Sequence, residues 1–458
     1  EPFAPLPLAA WLRARELRCV EMASTSRARW TEPGACSALC LLILDDRWGG
    51  GDRGGLCRRR PALPPALYCE HVAPFLRFEA PLPNMLYAFG GRNRRRGPVD
   101  TVEMLDTWHG EWVSCPPMPQ RRAGSAAAAL PDGRLLIVGG YNEGGIVNGL
   151  LGSCDVYDPF QERWHPNGAA PLLRARWGHG CASLAGRVFV AGGCSLQVDA
   201  RPQEAFMETL RSCEVYDPSQ DRWESCSSLQ VPRSGSRVVA LGERRLAAVG
   251  GCDDVFGRAE TQATIEIYDL DTGRWTLLDT HLKIPRTSAA VAAVDSSFLV
   301  VAGGAPSQAS VEVCRVVPTT LSAERGAAEG QETAERGADA SGFSVVDMPE
   351  GRMGCQATVT SLPLLGEAYG KGHRRCLVVV GGERCDEAGA VPSALVRVRQ
   401  LNSVAAYDLD ACAWCDTSAV PPMAVARTTM ALCLGVGRVA PARLPSSDSS
   451  SSISTLSS

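Results

Sequence analysis

The amino-acid sequence predicts an all-β fold built from repeats, and two regular spacings support that prediction. Six short apolar runs each end in a Gly-Gly pair, and successive pairs lie 49, 53, 58, 53 and 78 residues apart. A period near 50 residues is typical of repeat architectures. In five of the six repeats, a tryptophan also follows a tyrosine or leucine at a fixed distance of seven residues.

The Gly-Gly pairs mark the ends of predicted buried strands, because the runs before them are short, apolar and rich in β-branched residues. A glycine pair lets the chain turn where a side chain would collide or where φ must be positive. We therefore interpret all of these glycines as structural. The pairs are Gly90-Gly91, Gly139-Gly140, Gly192-Gly193, Gly250-Gly251, Gly303-Gly304 and Gly381-Gly382.

The seven-residue spacing predicts two adjacent strands. Apolar and polar residues alternate before the tyrosine, an Asp-Pro or Asp-Leu pair then favours a turn, and the tryptophan opens the next strand. We expect these aromatic residues to pack between neighbouring sheets rather than to touch a ligand. They are Tyr157, Tyr216, Tyr268 and Tyr407, followed by Trp164, Trp223, Trp275 and Trp414, with Leu105 before Trp112 in the first repeat.

The order Gly-Gly, Tyr-Asp-Pro, Trp and then a proline motif such as Pro285-Arg286 resembles the kelch repeat. The resemblance covers residues 82–439. It implies a six-bladed β-propeller, in which each blade is a four-stranded antiparallel sheet around a central channel. The fifth repeat departs from the pattern at Val313-Cys314, and the first has Leu105 in place of tyrosine. We expect those two blades to be less regular.

The last apolar segment predicts how the ring closes. The first Gly-Gly run has no convincing strand of the usual type before it, whereas Arg427–Leu434 resembles that strand and has no Gly-Gly after it. We predict that this segment returns to become the inner strand of the first blade. Closure would remove an open sheet edge that otherwise invites aggregation.

Four segments lie outside the repeats. Residues 1–45 are predicted to be helical, residues 46–81 are a Gly- and Pro-rich linker, residues 319–342 are a polar insertion, and residues 440–458 form a Ser-rich tail. The last two have the composition of disordered chain.

The first segment resembles the second half of an F-box. A Leu-x-x-x-Glu-Leu-x-x-Val spacing fits Leu12, Glu16, Leu17 and Val20. This resemblance implies that Leu12, Leu17 and Val20 dock on an adaptor of a cullin-type ligase. The alternative is an ordinary helical extension that packs on the propeller.

Composition excludes several classes of function. Lys and Arg total 46 against 50 Asp and Glu, so the charge of −4 gives no reason to expect nucleic-acid binding. No run reaches the 18 apolar residues of a membrane span. The first residues lack the layout of a signal peptide, so we expect a cytoplasmic protein that can also be nuclear.

Metal and cofactor binding are not predicted. The 19 cysteines include several in predicted buried strands, where a thiol behaves as a small apolar residue. Cys36, Cys40, Cys57, Cys69 and His71 are the alternative, a zinc site, but they lack paired CxxC spacing.

Enzymatic activity is also not predicted. The six histidines have no partner histidine at metal-ligand spacing, and no nucleophile triad or phosphate loop stands out. A propeller enzyme is therefore the third hypothesis, after protein binding as a ligase receptor or as a scaffold.

Arginines recur where the chain enters each repeat, which suggests a binding face. With alternating strand directions, these entering segments and the loops after Gly-Gly open on the same end of a propeller. Guanidinium groups there would suit an acidic or phosphorylated protein segment. The alternative is that they hydrogen-bond neighbouring loops. The candidates are Arg121, Arg122, Arg174, Arg176, Arg233, Arg286, Arg352 and Arg427, and Arg94-Arg95-Arg96 after the first Gly-Gly pair would add charge to the same face.

The sequence thus predicts a protein-binding module without cofactors. The leading hypothesis is the substrate-recognition subunit of a cullin-type ubiquitin ligase. The alternative is a kelch scaffold in cytoskeletal or signalling assemblies without ligase association.

Overall fold

A computed structural model describes six parts of the chain, all within the unit Pro83–Ser458. The described ranges are 84–197, 207–253, 261–316, 346–364, 373–386 and 397–436. The predicted helical segment, the linker, the insertion and the Ser-rich tail lie outside the described residues. No described helix is long and apolar enough to cross a membrane.

The described elements are almost all strands. In chain order they are β1 (Asn84–Phe89), β2 (Arg92–Asn93), β3 (Gly97–Pro98), β4 (Val102–Asp106), β5 (Glu111–Cys115), β6 (Ala126–Ala129), β7 (Leu135–Val138), the single-turn helix α1 (Gly145–Asn148), β8 (Cys154–Asp158), β9 (Arg163–Ala169), β10 (Gly180–Leu184), β11 (Arg187–Ala191), β12 (Cys194–Leu196), β13 (Met207–Thr209), β14 (Cys213–Asp217) and β15 (Arg222–Cys226). They continue with β16 (Arg237–Leu241), β17 (Arg245–Val249), β18 (Thr264–Asp269), β19 (Arg274–His281), β20 (Ala290–Ala293), β21 (Phe298–Ala302), β22 (Val311–Arg315), β23 (Gln356–Pro363), β24 (His373–Val380), β25 (Glu383–Asp386), β26 (Arg397–Gln400), β27 (Val404–Asp408), β28 (Ala413–Trp414) and β29 (Ala431–Val436).

Twenty-three of these strands form six antiparallel sheets, which are the blades of a propeller, and the other six pair as the hairpins β2–β3, β12–β13 and β25–β26. Blades one to six have the strand orders β29-β1-β4-β5, β6-β7-β8-β9, β10-β11-β14-β15, β16-β17-β18-β19, β20-β21-β22 and β23-β24-β27-β28. The first strand of each order is the inner strand, and each inner strand contacts those of the two neighbouring blades. The predicted six-bladed β-propeller is therefore confirmed.

The C-terminal strand closes the ring as predicted. β29 pairs antiparallel with β1 over all six residues, from Asn84 opposite Val436 to Phe89 opposite Ala431. Since the two strands come from opposite ends of the propeller sequence, this sheet joins the first blade to the end of the sixth.

The predicted hairpins also have the expected register. Tyr157 lies directly opposite Trp164 on the next strand, and their ring centroids are 4.9 Å apart. The indole N–H of Trp164 donates to the carbonyl oxygen of Pro116 in the preceding blade, at 2.9 Å. This pair therefore fixes one hairpin and also ties it to its neighbour.

The first blade corrects one expectation. Leu105 lies opposite Trp112 in an unbroken register, so this blade is a regular four-stranded sheet although it lacks the tyrosine. Either a leucine or a tyrosine side chain fills the space between blades, and the backbone hydrogen bonds of the sheet do not depend on the aromatic ring. Blade five has three strands among the described residues.

The apolar core is divided among the interfaces between blades. One cluster, for example, joins Leu86 and Leu105 of the first blade to Val378 and Val380 of the sixth. No single centre holds the described fold together. Each blade therefore depends on its two neighbours for burial of its faces, which makes closure of the ring important for stability.

The Gly-Gly pairs connect adjacent blades. Gly303 has φ +65°, and a Cβ added there would collide with the carbonyl oxygen of Arg352 in the next blade. The amide of Gly304 donates to that same oxygen at 2.9 Å. The other five pairs repeat both features. The prediction that a side chain would collide at these positions is confirmed.

Candidate partner-binding face

The entering arginines and the loops after Gly-Gly lie at the same end of the propeller, as predicted. Residues that directly follow the entering arginines form antiparallel bridges with residues that directly follow the Gly-Gly pairs. Trp177 bridges to Cys194, and Ser234 bridges to Cys252. We call this end the Gly-Gly face.

Six of the eight candidate arginines are buried beneath that face. Each has at most 1% of its surface exposed. The six are Arg122, Arg176, Arg233, Arg286, Arg352 and Arg427.

Arg233 illustrates the shared geometry. Its Nη1 donates to the carbonyl oxygens of Gly250 and Thr264, at 2.8 and 3.0 Å. Its Nη2 donates to the Thr264 hydroxyl, and its Nε donates to the Glu266 carboxylate at 3.0 Å. Burial lowers the pKa of Arg233, and the Glu266 carboxylate opposes that shift.

The carboxylate has a second structural role. Glu266 is itself fully buried and accepts hydrogen bonds from the backbone amides of Gln230 and Val231, which lead into the blade. One buried ion pair therefore fixes a Gly-Gly turn, the third strand of the blade (β18) and the entering segment together.

These contacts correct the expectation that all eight arginines form an open basic surface. The six buried guanidinium groups are occupied by backbone oxygens and carboxylates of their own blade, so a partner cannot reach them. Their geometry instead matches the alternative prediction, in which the arginines hydrogen-bond neighbouring loops. Pairing of this kind offsets the cost of burying a charge.

Sequence reasoning missed the partners of these arginines, although the sequence contains a signal for them. A Ser/Thr-x-Asp/Glu motif stands four and two residues before the tyrosine position in five repeats. The motifs are Thr101-Val102-Glu103, Ser153-Cys154-Asp155, Ser212-Cys213-Glu214, Thr264-Ile265-Glu266 and Ser310-Val311-Glu312.

The sixth repeat takes its carboxylate from a different position. It has Ala405 where the other repeats have the acidic residue. Glu350, two residues before Arg352 in the chain, supplies the carboxylate instead, at 3.3 Å from Nη2 of that arginine.

The remaining two candidates are on the surface. Arg121 is 52% exposed, with its Nε 3.8 Å from a carboxylate oxygen of Asp100. Arg174 is 27% exposed and forms an ion pair with Glu208 at 2.7 Å. Both can contact a partner, but each already has a neighbouring carboxylate.

A different set of arginines forms the exposed basic surface of the Gly-Gly face. They lie on two short hairpins, β2–β3 and β25–β26, which follow the Gly-Gly pairs of blades one and six. We call this set the closure patch, because it lies where the ring closes. Its exposed members are Arg92, Arg94, Arg95, Arg96, Arg384 and Arg399.

Hydrogen bonds hold the two hairpins side by side. The backbone amide of Arg94 donates to Oε1 of Gln400 at 2.5 Å. The Nη1 of Arg94 donates to the carbonyl oxygen of Val398, also at 2.5 Å. Nε2 of Gln400 donates to the carbonyl oxygen of Arg92 at 2.8 Å. These hydrogen bonds between blades one and six therefore fix the backbone that carries the patch.

The charge of the patch is strongly positive. The two hairpins contain seven arginines against three acidic residues, Glu383, Asp386 and Glu387. Burial raises the pKa of Glu383, an effect that the neighbouring Arg92 and Arg94 oppose.

Three arginines of the patch stand apart from carboxylates. Within the described parts of the chain, Arg95, Arg96 and Arg399 have no carboxylate at ion-pair distance. The sequence pattern identified the run Arg94-Arg95-Arg96 as an addition to the predicted face, but it did not identify the arginines of β25–β26. Those arginines are far away in the chain, and only pairing of the hairpins across the seam brings them to the same surface.

Two further predictions concern other kinds of site. Leu12, Leu17 and Val20, the predicted adaptor-docking residues, lie outside the described residues. Among the residues with a described placement, no three His, Cys, Asp or Glu side chains form a group that could hold a metal ion.

Comparison with known proteins agrees with the fold. Residues 80–304 match the family model of the KLHDC2/KLHL20/DRC7 Kelch-repeats domain. The six blades have the repeat type described above, and the fold is the kelch β-propeller.

Curated relatives share the propeller region. Kelch-like protein 26 of Danio rerio is 25% identical over 226 residues, which are 48% of this chain and 34% of that protein. The F-box/kelch-repeat protein At1g67480 of Arabidopsis thaliana is 29% identical over 205 residues, 43% of this chain and 48% of that protein. Alpha-scruin of Limulus polyphemus is 29% identical over 194 residues, 41% of this chain and 20% of that protein. The matched region thus spans less than half the length of each of these relatives.

Proposed function

We propose that this propeller binds a protein partner by capturing an acidic or phosphorylated segment on the closure patch. The observation that supports the proposal is the cluster of exposed arginines on two hairpins that are hydrogen-bonded to each other. Guanidinium groups form bidentate hydrogen bonds with carboxylates and phosphates. Kelch-like relatives support a protein-interaction role for the fold as a whole.

The patch is distinct from the buried arginines in its chemistry. Each buried guanidinium already has a carboxylate or several carbonyl oxygens, whereas Arg95, Arg96 and Arg399 are exposed to solvent. An incoming carboxylate or phosphate therefore gains hydrogen bonds there without displacing contacts that hold the blades. Like-charge repulsion within the patch is also relieved when the acidic segment binds.

Charge reversal in the patch is expected to weaken binding of an acidic peptide at least about tenfold. The variant combines Arg95→Glu, Arg96→Glu and Arg399→Glu, whose side chains donate no hydrogen bond within the described residues. Fluorescence anisotropy would measure the affinity for an eight-residue Asp/Glu peptide, for its Asn/Gln counterpart and for a phosphoserine peptide. Affinity for the acidic or phosphorylated peptide should fall steeply with added salt.

The matched control is Arg187→Glu, at the start of β11 and at the opposite end of the propeller. Arg187 is 53% exposed and pairs with Asp217 at 3.3 Å, so its reversal changes the net charge but not the closure patch. Equal affinities for the unaltered protein and the triple variant would contradict the proposal. The phosphoserine peptide distinguishes phosphate recognition from recognition of carboxylates.

We further propose that the protein is the substrate-recognition subunit of a cullin-type ubiquitin ligase. The support is the F-box-like spacing of Leu12, Leu17 and Val20, together with similarity to an F-box/kelch-repeat protein. A fold by itself does not define a function. In this role the first segment would dock on the ligase adaptor while the propeller holds the substrate.

The full chain is expected to bind a purified cullin-ligase adaptor, and the variant Leu12→Asp/Leu17→Asp is expected to lose that binding. Charged residues at these positions would disrupt an apolar docking surface. Pull-down and calorimetry would measure the interaction, with the triple closure-patch variant as a control that keeps it. If the unaltered chain does not bind the adaptor, the scaffold function without ligase association replaces this proposal.

A further inference from the structure

The central channel contains a second kind of arginine site. The six inner strands β6, β10, β16, β20, β23 and β29 carry one charged side chain between them, that of Arg237. The residues at the equivalent position of the other five inner strands are small or neutral. They are Ala126, Gly180, Ala290, Gln356 and Ala431.

Arg237 spans part of the channel. It starts on the inner strand of blade four, and its Nη2 donates to the carbonyl oxygen of Cys355 in blade six, at 3.2 Å. Its side chain therefore passes blade five to reach a blade that is not its neighbour. Such a path crosses the space enclosed by the inner strands.

The guanidinium of Arg237, which is partly buried, lacks the partners that the six buried arginines have. Its Nε is buried and has no hydrogen-bond partner. Within the described parts of the chain, one of its five N–H groups donates a hydrogen bond, and no carboxylate lies at ion-pair distance. Burial lowers the pKa of Arg237, because the surroundings disfavour its positive charge.

A closed ring of backbone hydrogen bonds lies directly above it. Six residues, one from each blade and each two positions before the inner strand, donate in turn to the next member at 2.8 to 3.0 Å. They are Gly124, Gly178, Gly235, Ser288, Gly354 and Thr429. Cys355, which accepts the hydrogen bond from Arg237, directly follows a member of this ring.

The ring limits what can reach Arg237 from the Gly-Gly face. With about 4.8 Å between hydrogen-bonded neighbours, a six-membered ring is about 10 Å across between backbones. Subtracting the van der Waals radii on both sides leaves an opening of about 6 Å. An opening of that size admits a small ion but not a folded loop or a peptide backbone.

We propose that the channel binds a small inorganic anion, a halide or an oxyanion, at the guanidinium of Arg237. The anion would accept hydrogen bonds from the free N–H groups and would neutralise the one charge that the described inner strands carry. The buried hydroxyl of Thr429, a member of the ring, also has no hydrogen-bond partner within the described residues. This site is separate from the closure patch and does not depend on the proposed function.

The anion is expected to stabilise the full chain in a saturable way. Melting temperature would be measured with increasing sodium bromide or inorganic phosphate, while sodium gluconate, whose anion is too large for the ring, keeps the ionic strength constant. We expect a rise of about 3–5 °C at a hundredfold excess over the dissociation constant. The rise should be absent in Arg237→Gln and unchanged in Arg187→Gln, the exposed control.

Diffraction provides a second measurement that does not need a variant. Crystals of the unaltered protein grown in bromide should show an anomalous peak about 3.3 Å from the guanidinium nitrogens of Arg237. An equal rise in melting temperature for the unaltered protein and Arg237→Gln would overturn the proposal, and so would a crystal without a peak at this position. If Arg237→Gln does not fold, the diffraction result decides.

Discussion

A chain that ends at Ala424 is expected to lose cooperative folding or to melt at least about 10 °C lower than the full chain. The deletion removes β29, which pairs with β1 over six residues, and it also removes Arg427. Without β29, the backbone groups of β1 become an exposed edge, and apolar side chains of blades one and six lose their cover. Loss of Arg427 also leaves the carboxylate of Glu103 buried without its cation.

A chain that ends at Val436 is the matched control, because it retains every described strand. Its melting temperature should remain within about 2 °C of the full chain, since no described contact is removed. Calorimetry and circular dichroism would measure both transitions. Addition of a synthetic peptide of residues 425–436 should restore part of the loss. Equal melting of the chain ending at Ala424 and the full chain would show that the ring does not need its closing strand.

Removal of one buried carboxylate is expected to cost about 3–5 kcal/mol of unfolding free energy. The variant Glu266→Ala leaves the guanidinium of Arg233 buried without its carboxylate, and both side chains are 0% exposed. It also removes the acceptor for the amides of Gln230 and Val231. Urea unfolding would measure the change, with the slope of the transition as a check that the unfolded states are comparable.

Two controls distinguish a buried pair from a general effect of charge. Asp271→Ala removes the carboxylate of an ion pair with Arg244 in which both side chains are 61% exposed, so its cost should stay below about 1 kcal/mol. The double variant Arg233→Met/Glu266→Leu removes both charges and should recover part of the loss. If Glu266→Ala costs no more than Asp271→Ala, the buried pairs do not hold the blades.

The repeat pattern is sufficient to predict most of the fold. The Gly-Gly pairs and the seven-residue Tyr-to-Trp spacing depend on local geometry, because a turn needs positive φ and a hairpin needs a fixed register. For that reason the spacing alone places Tyr157 and Trp164 on adjacent strands. The position of the closing strand can also be predicted, since a ring of six blades needs an inner strand for its first blade.

The candidate site is predicted less well, because exposure is a tertiary property. Arg233 and Arg95 are the same residue type, and each lies in a segment at the Gly-Gly face. Arg233 is buried, where it pairs with Glu266 on a neighbouring strand. Arg95 is exposed because its hairpin extends beyond the blade. The spacing of arginines along the chain does not contain that difference.

Spacing along the chain and the conformational freedom of glycine are enough to define the number of blades, the position of the turns and the segment that closes the ring. Which arginines are buried, which form the closure patch and which one lies without a carboxylate in the described part of the channel depends on the tertiary structure. The free energy of a charge depends on the groups around it, and those groups come from strands far apart in the sequence.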